Sequence, residues 1–145
     1  MTEEQQKLLQ QLYREQQLVE SNLNALQQQI ELTQVLLNQY QNGFTVLKEL
    51  ESGKEGEETL FNVGGGIFVQ AKLIDTSKVT RALGSGVRIE QSLEQAIEGV
   101  EKAIESLGKQ YESLITELGK LARRAEEIDA QMRQLVAQMQ GQEAQ

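Results

Sequence analysis

Leu60-Phe61-Asn62-Val63, Gly64-Gly65-Gly66, Ile67-Phe68-Val69-Gln70-Ala71-Lys72-Leu73-Ile74, Asp75-Thr76-Ser77, Lys78-Val79-Thr80-Arg81-Ala82-Leu83, Gly84-Ser85-Gly86 and Val87-Arg88-Ile89 follow one another in mid-chain, and their reading decides the fold. Short apolar runs alternate with turn signals, the signature of consecutive hairpins. In the second run Ile67, Val69, Ala71 and Leu73 share one face while Gln70 and Lys72 share the other. That period of two predicts a half-buried strand. So short a β segment buries little core by itself, and its open edges invite pairing. It is expected to be an assembly element.

Outward on both sides the period changes from two to seven. Toward the N-terminus the seam reads Leu9, Leu12, Gln16, Val19, Leu23, Leu26, Ile30, Thr33, Leu37, Tyr40, Phe44 and Leu47, at alternating spacings of three and four. Toward the C-terminus it reads Leu93, Ile97, Val100, Ile104, Leu107, Tyr111, Leu114, Leu118, Leu121, Ala125, Ile128, Met132, Leu135 and Met139, apolar throughout. Heptads sustained this long define coiled-coil helices. The first is expected over about 1–52, roughly 75 Å at 1.5 Å per residue. Gln16 and Thr33 interrupt its seam, and polar seam residues fix register at some cost in stability. Between Gln16 and Leu47 the only charged side chains are Glu20 and Glu31, so its outer face is neutral and polar.

The predicted organisation is a first helix at 1–52, a charged loop at 53–58, two hairpins at 59–90, a second helix at 91–140 and a disordered tail at 141–145. The loop is expected to be mobile and solvated, because glycines and charges dominate it. The arms are of similar length, so an antiparallel pair is expected, with Leu47 near Leu93 and Leu9 near Met132. Gly43, Gly99, Gly108 and Gly119 fall inside the helices at about 1 kcal/mol each relative to alanine. Seam burial outweighs them, and a bendable arm is the hypothesis they raise.

Whole-chain figures agree with this class. The 145 residues contain no Cys, His, Trp or Pro. At an average usage of about 5% roughly seven prolines would be expected, and their absence suits uninterrupted helix. Without cysteine there is no disulfide framework, zinc finger or thiol nucleophile. A net charge of −8 disfavours nucleic acid and anionic membrane. The N-terminus lacks a signal-peptide apolar region and no run approaches a membrane span, so a soluble cytoplasmic protein is expected.

No catalytic constellation emerges. Glu94, Glu98, Glu101 and Glu105 lie off the seam, and pairs such as Glu98 with Lys102 support a solvated helix face. No pocket is implied that would raise a carboxylate pKa, and no calcium-loop motif occurs. Gly64-Gly65-Gly66 leads into another strand rather than a helix, so a tight turn is the better reading than a phosphate loop. Neither enzyme chemistry nor a cofactor or metal is expected.

An apolar excess remains at the helix ends that carry the termini. Leu8, Leu9, Leu12 and Tyr13 lie on the first arm, and Met132, Leu135, Val136 and Met139 on the second. Most of these can close the seam on one another, but Leu8, Tyr13 and Val136 lie beside it. Leucine and methionine at such an end form an adaptable surface for many weak partners.

The plan of helix, two hairpins and helix resembles the α-class subunit of prefoldin, the archaeal and eukaryotic cochaperone. The likeness is clearest from Glu58 to Gly99. Gly64-Gly65-Gly66-Ile67-Phe68-Val69-Gln70-Ala71-Lys72 resembles the family's glycine turn and second strand. Asp75-Thr76-Ser77-Lys78-Val79 resembles its inter-hairpin turn, Leu83-Gly84-Ser85-Gly86-Val87 its second glycine turn, and Glu94-Gln95-Ala96-Ile97 the start of its second helix. The sequence departs at Asn62, where relatives often carry proline. Two hairpins resemble the α class, since β-class subunits have one.

The resemblance implies a mainly α subunit whose hairpins form a β-barrel on oligomerisation, in a hexamer of two α and four β subunits. It implies arms whose distal tips hold unfolded clients without ATP and pass them to a group II chaperonin. On that basis Leu8, Leu9, Leu12, Tyr13, Met132, Leu135, Val136 and Met139 are the expected client contacts. Phe61, Val63, Ile67, Val69, Leu73, Val79, Leu83, Val87 and Ile89 are the expected assembly contacts. The alternative is a coiled-coil scaffold or filament subunit without client handling. A nucleic-acid-binding arm fits poorly, because Arg123-Arg124 beside Glu126-Glu127 makes no basic face.

Overall fold

The computed structural model describes residues 2–144. Element order is α1 (Glu3–Ser52), β1 (Glu58–Gly64), β2 (Ile67–Lys72), β3 (Lys78–Gly84), β4 (Val87–Ser92) and α2 (Leu93–Glu143). Two long helices thus enclose two antiparallel hairpins, β1 with β2 and β3 with β4. The chain divides into two units, one of residues 2–34 with 109–144 and one of residues 35–108.

In the first unit α1 and α2 pair through the heptad seams. Thr2 opens α1 with a capping box: the Gln5 amide donates to Thr2 Oγ1 at 3.2 Å and the Thr2 amide to Gln5 Oε1 at 3.0 Å. Leu12, Val19, Ile128 and Leu135 form the buried cluster, and Leu9, Leu23, Leu121, Ala125, Met132 and Met139 pack against it. The antiparallel register is set by polar links beside these contacts. Gln16 Nε2 donates to Asp129 Oδ1 at 2.8 Å, and Arg124 Nε donates to Glu15 Oε1 at 2.7 Å. Gln16 therefore interrupts the apolar seam by bonding across it. Thr33 is buried, and its hydroxyl donates to the Gln29 carbonyl at 2.8 Å, so the second interruption leaves no unpaired polar atom.

In the second unit the charged loop is shorter and more ordered than a solvated linker. It spans 53–57; the Gly56 amide donates to the Leu73 carbonyl at 2.6 Å and the Leu73 amide to the Glu57 carbonyl at 3.0 Å. These bonds tie the loop to the base of the first hairpin. They also end β2 at Lys72, so Ile74 is left outside the strand and exposed.

Each hairpin closes with two residues at positive φ. Gly65 and Gly66 do so between the paired Gly64 and Ile67, and Ser85 (φ 51) and Gly86 (φ 76) between the paired Gly84 and Val87. Such turns match the right-handed twist of the strands and favour glycine. Asn62 Oδ1 accepts the Gly64 amide at 2.9 Å across the bulge that precedes the first turn. Asp75 Oδ1 accepts both the amide and the hydroxyl of Ser77, which folds the chain between hairpins.

Helix α2 follows β4 without a loop. Ser92 Oγ caps it by accepting the Gln95 amide at 3.2 Å, and the Leu93 amide donates to the Ser77 carbonyl at 2.8 Å. Ala96, Ile97 and Val100 are buried directly after this joint. The helix does not stop at 140. Gly141 and residues 142 and 143 remain helical, where a disordered tail was expected, because one glycine among Gln, Glu and Ala lowers helix propensity too little to end a long helix. Residue 145 of that expected tail lies outside the described residues.

Candidate functional site

The second unit carries the residues expected to assemble. In β1–β2, directly opposed residues share a face, so the register Phe61 with Val69 and Thr59 with Ala71 places Phe61, Ile67 and Val69 on one side, with Val63 at the bulge between Asn62 and Gly64. All four are exposed, Ile67 and Val63 at 60%. The strand is therefore not half-buried along its length. Ala71 and Leu73, near the tied base, are partly covered, as is Thr59 opposite Ala71. A two-stranded hairpin has no second layer, and among the described residues no helix covers its outer half.

In β3–β4 the register Arg81 with Ile89 and Val79 with Gln91 puts Val79, Arg81, Val87 and Ile89 on one face, with Leu83 at the bulge between Ala82 and Gly84. Val79 and Ile89 are partly covered, while Leu83 and Val87 toward the turn are exposed. Of the expected assembly residues, Leu73, Val79 and Ile89 thus pack at least partly within the chain, and the other six stand open.

Pattern reading missed Leu60, Phe68 and Ile74, all exposed. Leu60 opposes Gln70 and Phe68 opposes Asn62, so both lie on the face that Gln70 and Lys72 marked as polar. The first hairpin is apolar on both sides. A test of strand alternation on β1 as well as β2 would have revealed this.

A further apolar feature runs along α1. Leu36, Gly43, Val46 and Leu50 line a groove of about 690 Å³ together with Val79 to Ala82 of β3 and Val100 of α2. Leu36 and Val46 are exposed, as is Val35. They lie beside the main seam, and following that seam alone passed them over.

In the first unit the expected client residues separate into two sets. Leu12 and Leu135 are buried, and Leu9, Met132 and Met139 pack against them. Leu8, Tyr13 and Val136 are exposed, Tyr13 by half. Leu8 lines a shallow cleft with Leu12, Leu135 and glutamines of α2, and Val136 lines another with Met132 and Arg133. Most of the set closes the helical pair, and three members face outward.

Hydrogen bonds shift two ionisable groups. Ser77, through its hydroxyl and its amide, keeps the Asp75 carboxyl below the usual carboxylate value. Glu15 and then Glu127 hold the Arg124 guanidinium further toward its charged form. Among the described residues no three His, Cys, Asp or Glu side chains converge as a metal site, and no helix is long and apolar enough to cross a membrane.

A hairpin-bearing coiled-coil chain with open apolar strand faces is the class that this architecture defines. The family model for prefoldin subunits matches residues 19–138, and the chain belongs to that family. It is 34% identical over 73 residues to "Prefoldin subunit alpha" of Thermofilum pendens (50% of this chain, 57% of the relative), and 32% identical over 84 residues to the Archaeoglobus fulgidus protein of the same name (58% and 61%). These matches span about three-fifths of the relatives' length. A Methanococcus aeolicus protein so named is 28% identical over 134 residues, covering 92% of this chain and 91% of the relative.

The fold is similar to a chain of filamentous prefoldin from Methanocaldococcus jannaschii, solved by cryo-EM. That match has a TM-score of 0.65 and 22% identity, covering 79% of this chain and 95% of that one. It is also similar to the prefoldin β subunit of Thermococcus strain KS-1, with a TM-score of 0.57 and 17% identity over 88% of this chain and 90% of that one.

Proposed function

We propose that this chain is an α-class prefoldin subunit. It joins β-class subunits through its hairpins, holds unfolded polypeptide at the helix ends bearing the termini, and hands it to a group II chaperonin without ATP. The observation that carries the reading is the pair of hairpins whose outer apolar residues, Phe61, Val63, Ile67, Val69, Leu83 and Val87, are exposed. Two such hairpins per α subunit and one per β subunit suit a closed β-barrel, which removes open edges. Client holding rests on Leu8, Tyr13 and Val136, which face outward while their neighbours secure the pair. The proposed role is non-enzymatic, cytoplasmic and independent of nucleic acid and membrane.

The test is light scattering of a denatured protein diluted into the chain complexed with a β-class partner, without nucleotide. Leu8→Ser, Tyr13→Ser and Val136→Ser together leave the buried cluster intact. The triple variant is expected to form a complex of unchanged mass and to lose most of the suppression. Unchanged suppression would move the client site elsewhere.

A second reading is self-assembly through the hairpins as a scaffold or filament. The similar Methanocaldococcus jannaschii chain comes from a prefoldin described as filamentous, and apolar residues on both faces of the first hairpin suit contacts on two sides. Electron microscopy of the chain alone separates the readings, since filaments without a β partner favour this one.

A further inference from the structure

Among the helix-interior glycines only Gly99 has a neighbour in the space that a side chain would take. A Cβ at Gly43, Gly108 or Gly119 would meet nothing within 4 Å, whereas one at Gly99 would run into the guanidinium of Arg81. Arg81 sits in β3, on the same face as Val79 and Ile89. It is partly buried, and Gln91 Oε1 on the neighbouring strand accepts from its Nη1 at 3.4 Å. A charged side chain amid an apolar face, laid on bare helix backbone, calls for an explanation.

The joint supplies one. The second hairpin meets α2 at the Ser92–Leu93 junction, where the Leu93 amide bonds the Ser77 carbonyl. A hairpin anchored at its base can swing at its outer half. From that joint Gly99 lies six residues along α2, about 9 Å. Arg81 lies three residues from the start of β3, about 10 Å. The two arms are matched, so folding the hairpin down brings the guanidinium onto Gly99, a position where the helix has no side chain. The long, partly apolar arginine stem can cover that backbone while its planar head remains paired.

We infer that Arg81 and Gly99 form a lock that holds the second hairpin against α2, with Arg81 as the positioning residue and Gly99 as its seat. The glycine thus makes room for a contact rather than a bend in the arm. An isolated two-stranded hairpin is marginal in water, so releasing the lock leaves the β3–β4 ladder to open more often. The Gly99 clash is with the far end of a side chain, so alanine there evicts the guanidinium without breaking α2.

Amide hydrogen exchange of the full-length chain, with mass checked by light scattering, tests this. Gly99→Ala and Arg81→Ala are each expected to speed exchange across β3–β4 by about fivefold, with amides 102–110 of α2 unchanged. The double variant should be no faster than either single one, because both remove the same contact. Gly108→Ala, with open space at its Cβ, should leave the hairpin as it is. Full addition of the two single effects, or an unaltered hairpin in Arg81→Ala, would overturn the lock.

Discussion

At the scale of single residues, the seam and the turns carry most of what the fold depends on. Ile128 has no exposed surface and sits between Leu12, Val19 and Leu135. Ile128→Ala removes transfer energy and leaves a cavity that rigid helices cannot fill, so a loss of about 2–5 kcal/mol in a denaturant melt is expected. Leu8→Ala, beside the seam and exposed, should change the same melt by under about 0.5 kcal/mol. Asp75 makes a different prediction. Its folded-state pKa is lowered by the two bonds from Ser77, so its stabilising contribution is complete above the ordinary carboxylate value. It is lost as pH falls through the lowered folded value. An NMR titration followed at the Ser77 amide should therefore show a midpoint below that of an unpaired aspartate. Ser77→Ala should bring the Asp75 carboxyl back toward the ordinary value.

At the scale of elements, the two helices and the hairpins rest on different physics, and they were not equally legible in the sequence. Helix α2 is set by periodicity, so filling an open glycine should strengthen it. Gly108→Ala is expected to raise stability by about 1 kcal/mol in thermal or denaturant melts, since propensity improves and no neighbour is displaced. The periodicity that licenses this was plain: all the seam positions from Leu9 to Leu47 and from Leu93 to Met139 are buried or partly buried. The hairpin turns were equally plain, because runs of glycine mark positive φ. Strand coverage was not. Alternation says which residues share a face but not whether anything covers that face, and Ile67 and Val69 stand exposed. Nor does local pattern register contacts between distant segments. The bond from Gly56 to Leu73 and the seating of Arg81 on Gly99 join residues whose spacing carries no motif. The exposed stripe of Leu36 and Val46 was missed for a related reason, since one strong heptad reading hid the weaker one beside it.

At the scale of the whole molecule, the balance between helical pair and open hairpins separates stability from assembly. Among the described residues the buried ones belong to the helices, whereas Val63, Ile67, Phe68, Leu83 and Val87 contact little of their own chain. Exposed apolar side chains grouped at one element mark an interaction surface, and a charge placed there opposes burial against a partner far more than exposure to water. Ile67→Lys with Val87→Lys should therefore leave the denaturant melt of the isolated chain within about 0.5 kcal/mol. The same variant should fail to enter a complex with β-class subunits, which sedimentation would read as loss of the heavy species. The strand register is set by the turns and the backbone ladder, so the hairpins themselves should persist in far-ultraviolet circular dichroism. If the double variant still assembled at full mass, the apolar faces would be dispensable, and subunit contact would have to run through the stripe on α1. If it lost stability as well as assembly, Ile67 and Val87 would be packing within the chain, contrary to their exposure. The three outcomes are distinct because Ile67 and Val87 are exposed on the strands while the buried residues lie on the helices.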